Sequence, residues 1–276
     1  MSEELITSGQ WGLGWRRDQE RADFLAPLVR AFAFMAPGDA PPVIDHRNWL
    51  QTENQGGMGS CAGHAGADCA QVCNWIATRG EAVRMSRMFC YLTGQQESGL
   101  FGRDAGASIS GVVSAMHKIG VPREETFPYP GVYTTRIPQQ AFQEAEEHRI
   151  RSVSPMQRYA DCFAFLALGI GAIQIGIDWT SSLANDRTGV IDRVWGGTLG
   201  GHSLSLVGYS ARRDDEGRQY LWMHNSHGKS WGNRGWAEVS PRVIDHWLLN
   251  FNSGEFLGVS DLAAYERRWI DPSQFA

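Results

Sequence analysis

The period of the apolar pattern changes near residue 153. That change limits the chain to folds that keep helices and strands apart. Ahead of it, residues 60–79 place Ala62, Ala65, Cys69, Val72, Cys73 and Ile76 at three- and four-residue steps, with Gly80 as a C-terminal stop. This is the spacing of one helix face. A helix of that length runs about 30 Å, enough to cross the centre of a domain, and its small apolar face predicts burial. Two more helices are expected, over 108–119, closed by Gly120 and Pro122, and over 139–147. After the change, residues 169–177, 204–209, 220–224 and 235–239 are short runs separated by Gly, Asn, Asp and Ser, the signature of strands and turns. Asp214-Asp215-Glu216-Gly217 is expected at a hairpin tip. Residues 162–177 form the longest weakly polar run; a membrane span needs about 20 apolar residues, so a buried strand pair or core segment is expected. Segregated elements predict an α+β fold. Residues 40–152 make a mainly helical sub-domain and 153–276 a mainly β, barrel-like one, with a cleft between them as the natural place for a site. Residues 1–39 form an extension that ends in the breaker cluster Pro37-Gly38-Asp39-Ala40-Pro41-Pro42. Within it, residues 21–34 have helical spacing, which Pro27 would kink or restart.

A chain of 276 residues buries about 70–75% of its unfolded surface and needs no metal or disulfide to hold a core. Its net charge of −5 argues against the clustered basic footprint of a nucleic-acid binder. Hydrophobic content of 42% and charged content of 20% exclude wholesale disorder. Five cysteines are an odd number and do not suggest a disulfide framework. With no apolar leader after Met1, the expected setting is a reducing one, cytoplasmic or virion-associated. No nucleic-acid or membrane partner is expected. No metal or other cofactor is expected either: Cys69 and Cys73 fall on the apolar helix face, which leaves His224 and His227 without the thiolates of a zinc site.

Cys61 stands at the first turn of the long helix, after Gly56, Gly57 and Gly59. The positive end of the helix dipole favours a thiolate there, and the glycines let another backbone approach. Position alone leaves a second reading open, since free cysteine is among the most buried residue types. A thiolate needs an imidazole partner, and that partner an orienting group. His202 opens the apolar strand that continues through Leu204 and Leu206; Asn225 follows the strand ending at His224. His64 and Asp68 share the Cys61 helix at i, i+4 and read as hydrogen-bonded helix residues.

Asn54-Gln55-Gly56-Gly57-Met58-Gly59-Ser60-Cys61 resembles the NQGxCGSC segment of the papain family of cysteine peptidases. Gly201-His202-Ser203, followed by Val207-Gly208-Tyr209, resembles that family's histidine strand. Residues 225–236, from Asn225 through Trp231 to Trp236, resemble NSWGxxWGxxGY. Weaker similarity extends the resemblance over roughly residues 41–240, of a type lacking the family's usual disulfides, since Met58 replaces a half-cystine. The resemblance implies a cysteine endopeptidase acting on peptides or proteins through a thioester. Cys61 would be the nucleophile, His202 its ion-pair partner and general acid, Asn225 the residue orienting His202, and Gln55 an oxyanion donor. Gly106, Ala107 and Gly201 would hold the substrate backbone, and Trp231 would wall the primed side. His227 replaces a tryptophan that shields the Asn–His bond, so a more exposed bond is expected. Family members are often made as proenzymes, and Gly12 to Asp18 with the following apolar stretch is a candidate for occupying the cleft. Two other functions fit the same sequence: a catalytically weak peptide-binding module, and a processing peptidase dedicated to one partner.

Overall fold

The computed structural model describes residues 12–16, 40–80, 83–249 and 254–261. The helix expected over 21–34 and the first half of the breaker cluster, residues 37–39, lie outside the described residues. Helix α1, Cys61–Thr78, ends where Arg79 turns left-handed at φ 59° and its N–H caps the Trp75 carbonyl. Cys69, Val72 and Cys73 are buried on it. It packs against α2, Arg87–Glu97, and α3, Ile109–Lys118. The helices can approach closely because α1 carries glycine at the contact: a Cβ on Gly63 would stand 2.6 Å from Tyr91 Cβ. Helix α2 starts at Ser86, whose Oγ accepts the Phe89 N–H, and α3 at Ser108, whose Oγ accepts the Gly111 N–H. Each such cap contributes about 1 kcal/mol. Helix α4, Gln139–Ala145, continues as a 3-10 turn through His148.

The described strands form one sheet: β1 Ile44–Asp45, β2 Ser152–Pro155, β3 Gly171–Thr180, β4 Val190–Ile191, β5 Thr198–Arg213, β6 Gln219–His224, β7 Trp236–Val239 and β8 Gly254–Ser260. Their order is β2-β8-β3-β5-β6-β7-β4, with β1 added to β5. Pairings are antiparallel except β4–β7. The expected barrel-like closure is corrected to an open sheet. Its path ends at β2 and at the two-residue β4, and so short a strand offers little edge for closure. The β5–β6 hairpin turns at Asp214 and Gly217, as expected of that sequence.

Residues 162–177 are not a strand pair. Helix α5, Tyr159–Ala167, occupies the first part, Gly169 turns at φ 63°, and β3 begins at Gly171. A continuous apolar run satisfies both periods, and the buried Tyr159, Cys162, Phe165 and Leu166 are spaced as on a helix. Two short helices follow, α6 Ser181–Ala184 and α7 Pro241–Leu249.

One apolar cluster gathers Cys69, Val72, Phe89, Val112 and Met116. Another gathers Phe165, Ile173, Trp179, Leu206, Ile244 and Trp247. Each fully buried side chain of this size contributes roughly 1.5–3 kcal/mol. Helix α1 also packs on β3 and β5, so its first turn meets the His202 strand. Gln174 of β3 pins that meeting: its Nε2 donates to the Ala62 carbonyl at 2.9 Å and to Ser203 Oγ at 3.4 Å.

Candidate active site

Cys61 is the first residue of α1 and is fully buried. Burial pushes its thiol above the ordinary value of 9, against hydrogen bonds from the backbone of Ser203, Gly14, Ala62 and Trp15. His202, opposite Ile177 in the β3–β5 ladder, is also fully buried, and burial pushes its imidazole down to about 4 while the bond to Asn225 opposes the shift. His202 Nε2 lies 2.8 Å from Asn225 Oδ1. An amide oxygen accepts, so Nε2 carries the hydrogen and Nδ1 the lone pair. Nδ1 has no hydrogen-bond partner among the described residues. It is the nitrogen left for the sulfur; the next residue along the strand, Ser203, is tied through Gln174 to Ala62 beside Cys61.

The expected exposure of the His–Asn bond is corrected. His202 is 0% and Asn225 1% exposed. Trp179 of β3, fully buried, sits 4.5 Å from the His202 ring, and the buried His227 ring sits 4.3 Å away. The shield lost at position 227 is supplied by a neighbouring strand. Burial first, and then the neighbouring imidazoles of His202 and His64, hold His227 itself well below its ordinary value, in its neutral form.

Gln55 is held on every side. Its backbone N–H donates to the Ser226 carbonyl at 2.9 Å, Ser226 Oγ donates to its Oε1 at 2.6 Å, and Tyr129 O–H donates to its carbonyl at 3.0 Å. Two residues earlier, Glu53 pairs with Arg84 and Arg87, and Arg87 also binds Glu124. With Oε1 occupied, Nε2 is free to face acceptors. It donates to Met58 O at 2.8 Å and to Gly12 O at 2.7 Å.

Residues 12–16 run through the cleft between Ala107 and Gly201. Trp15 N–H donates to Gly201 O and Arg16 N–H to Ala107 O, both at 3.1 Å, and Ala107 N–H donates to Gly14 O at 2.9 Å. Gly14 allows this depth: a Cβ there would stand 1.8 Å from Gly59 O. Gly106, at φ 80°, would place a Cβ 1.9 Å from Gly14 O. Gly106, Ala107 and Gly201 therefore all border the segment. Trp231 does not; it is fully buried, packs 5.9 Å from Trp179, and donates its indole N–H to Leu183 O at 2.7 Å.

Sequence reasoning missed the frame of the 103–107 loop. Asp104 accepts the Gly59 N–H through both oxygens at 3.1 Å and the Tyr91 hydroxyl at 2.5 Å. Gln95 Nε2 donates to Gly106 O at 2.9 Å. These residues tie the loop to the nucleophile turn, and nothing in their spacing announces it. Ser226, beside Asn225, was equally unmarked. His64 is buried, its Nδ1 is 3.1 Å from Ser60 O, and its imidazole is pushed by burial down to about 3. Asp68 pairs with His224 Nδ1 at 2.8 Å and accepts Ser205 O–H at 2.7 Å. All five cysteines are free.

Residues 40–248 match the family described as papain family cysteine protease. Xylellain, a cysteine protease from Xylella fastidiosa, superposes with a TM-score of 0.72 at 23% identity, over 90% of this chain and 95% of its own. The cysteine protease CMS1MS2 of Carica candamarcensis, solved in complex with E-64, gives 0.62 at 20% identity over 80% and 99%. These two likenesses establish the fold. Mouse cathepsin M is 34% identical over 67 residues, a stretch that makes up 24% of this chain and 17% of cathepsin M. The family match takes in the nucleophile turn, the histidine strand and the asparagine turn together: the chain belongs to the papain family of cysteine proteases.

Proposed function

We infer that peptide-bond hydrolysis by this papain-family cysteine endopeptidase runs through Cys61, His202, Asn225 and Gln55, and that residues 12–16 hold it latent. The Cys61 proton passes to His202 Nδ1, and the thiolate attacks the scissile carbonyl carbon, forming the S–C bond. The oxyanion takes hydrogen bonds from Gln55 Nε2 and the Cys61 backbone N–H. One such donor lowers the barrier by about 3–4 kcal/mol. As the C–N bond breaks, Nδ1 returns its proton to the leaving amine, and a thioester remains. A water molecule gives its proton to Nδ1, its oxygen adds to the thioester carbon, and the thiol leaves. Asn225 keeps Nε2–H fixed throughout, so Nδ1 faces the sulfur in each step.

The arrangement that carries the catalytic reading is His202, with Nε2 engaged by Asn225 at 2.8 Å and Nδ1 without a partner among the described residues, on the strand that Gln174 ties to the first turn of the Cys61 helix. Latency is supported by the Gly12 carbonyl, which occupies Gln55 Nε2 at 2.7 Å, where a substrate oxyanion would need it. The segment also excludes water. A buried thiol raised above its ordinary value and a buried imidazole lowered to about 4 favour the neutral pair over the ion pair.

Labelling by an epoxide-type thiol inhibitor, read by intact mass, tests both parts. Wild type should label slowly and only at Cys61, and Cys61→Ala not at all. Gly14→Leu, which drives a side chain into Gly59 O, should label at least roughly tenfold faster, a shift worth about 1.4 kcal/mol. Equal rates in wild type and Gly14→Leu would remove the latency reading; labelling elsewhere would remove the nucleophile.

A further inference from the structure

His202 and Asn225 act as a fixed pair, yet His202 stands on β5 and Asn225 directly follows β6. The β5–β6 ladder shifts register between Leu206 and Tyr209 and again between Tyr209 and Arg213. No regular ladder therefore runs from the turn at 214–217 to the active end. The pairing nearest the site is Ser205 opposite His224. His224 precedes Asn225, and Ser205 lies three residues after His202. One side-chain atom spans that pair: Asp68 Oδ2 accepts the Ser205 hydroxyl at 2.7 Å and His224 Nδ1–H at 2.8 Å. A carboxylate oxygen only accepts, so Nδ1 carries the hydrogen. Asp68 comes from α1, seven residues after Cys61, which is two turns along the same face of the helix. His224 and Ser205 are buried, and the His224 ring lies nearly flat on Trp236, with centroids 4.0 Å apart.

We propose that Asp68 is a positioning residue of this peptidase: one carboxylate oxygen on the nucleophile helix locks the strand of His202 to the strand that leads into Asn225. The proposal rests on the peptidase reading above. The other ties at this point run the opposite way. The Asn225 N–H donates to Gly235 O at 3.0 Å, and Trp236, which carries the His224 ring, pairs with His224 in the β6–β7 ladder. Both draw the asparagine turn toward β7. Asp68 draws it toward β5, and draws both strands toward the helix of Cys61. Without that acceptor, Asn225 Oδ1 loses its fixed place against His202 Nε2. Misplacing a reacting group by about 1 Å costs up to about 10²-fold in rate. Gly106 and Ala107, which border residues 12–16, belong to neither strand, so the loss falls on kcat more than on KM. The pattern requires an acceptor and not a charge: an amide oxygen in the same place accepts both hydrogen bonds.

The test uses the full chain carrying Gly14→Leu, which opens the cleft, with Asp68→Ala, Asp68→Asn or His224→Phe added singly. Each is read by kcat and KM on an internally quenched peptide, by the absorbance of the Cys61 thiolate at neutral pH, and by its urea midpoint. Asp68→Ala should lower kcat by roughly tenfold to 10²-fold with KM nearly unchanged. It should also reduce the thiolate signal, because a His202 that Asn225 no longer orients holds the Cys61 proton less well. Asp68→Asn keeps an acceptor oxygen and drops the charge, and should restore most of both. His224→Phe keeps a flat ring on Trp236 and removes the donor; it should lose kcat and thiolate as Asp68→Ala does. Where Asp68→Ala does not fold, the contrast between Asp68→Asn and His224→Phe decides. A lowered urea midpoint in Asp68→Ala with parental kcat and thiolate would make Asp68 a structural tie alone and overturn the proposal. Equal losses in Asp68→Asn and Asp68→Ala, or a His224→Phe indistinguishable from its parent, would overturn it too, and all three results leave the peptidase reading standing. A Gly14→Leu parent with neither thiolate nor turnover overturns both.

Discussion

At the residue scale, the catalytic groups are set by partners that use up their other hydrogen-bonding capacity. Ser226 Oγ occupies Gln55 Oε1, which aims the amide N–H groups forward; Asn225 Oδ1 occupies His202 Nε2, which leaves Nδ1 for the sulfur. Gln55→Ala, measured in the Gly14→Leu chain, should therefore lower kcat by about 10²–10³-fold and leave Cys61 labelling largely intact, since the thiol does not depend on the amide. Comparable losses in turnover and labelling would mean that Gln55 holds the loop rather than the oxyanion. The four side chains proposed as catalytic could be picked out of the sequence because each stands in a motif that resembles one of the papain family. The Asp104–Tyr91–Gln95 frame was not, because a buried hydrogen-bond network assembled from α2 and a loop leaves no periodic trace. The protection of the His–Asn bond was misjudged for a related reason: its cover, Trp179, comes from a strand paired with the histidine strand, and pairing is not written at either position alone.

At the element scale, α1 is joined to the sheet by Asp68, which His224 of β6 and Ser205 of β5 both bind. Asp68→Ala leaves the buried His224 and Ser205 without that acceptor, and a buried polar group left unsatisfied costs about 1–3 kcal/mol. A urea titration should show this as a lower midpoint with an unchanged slope. A change below about 1 kcal/mol would place the pair among ordinary surface pairs. The long helices were readable where small and apolar residues keep one period, as in α1 and α3. Helix α2 was not anticipated, because Arg87–Glu97 mixes polar and apolar residues and is defined by its Ser86 cap and its packing. Helix α5 was hidden inside a continuous apolar run. Gly14 belongs at this scale too, since its missing Cβ is what admits residues 12–16 between Gly59 and Gly106.

At the scale of the whole molecule, four buried histidines couple stability to pH. Burial pushes His46 and His202 down to about 4 and His64 to about 3, and holds His227 well below the ordinary 6.5. Above 6.5 both the folded and the unfolded chain keep them neutral, and they make no difference. Below 6.5 the unfolded chain takes up protons that the folded chain refuses, so stability falls as pH drops from 6.5 toward 4. Each site contributes up to about 1.4 kcal/mol per pH unit in that window. Thermal midpoints should be nearly level from pH 8 to 7 and decline steeply below 6.5; a level profile down to pH 5 would contradict it. The same burial sets the resting state of the active site. The most direct measurement is the ultraviolet absorbance of the Cys61 thiolate against pH, taken as the difference from Cys61→Ser, for wild type and for Gly14→Leu. Wild type should show no thiolate at neutral pH and gain it only above the ordinary thiol value of 9. Gly14→Leu should show it already at neutral pH, and adding His202→Ala should abolish that neutral signal. Thiolate in the wild type at neutral pH, or none in Gly14→Leu below 9, would contradict a Cys61–His202 pair held neutral by the segment that covers it.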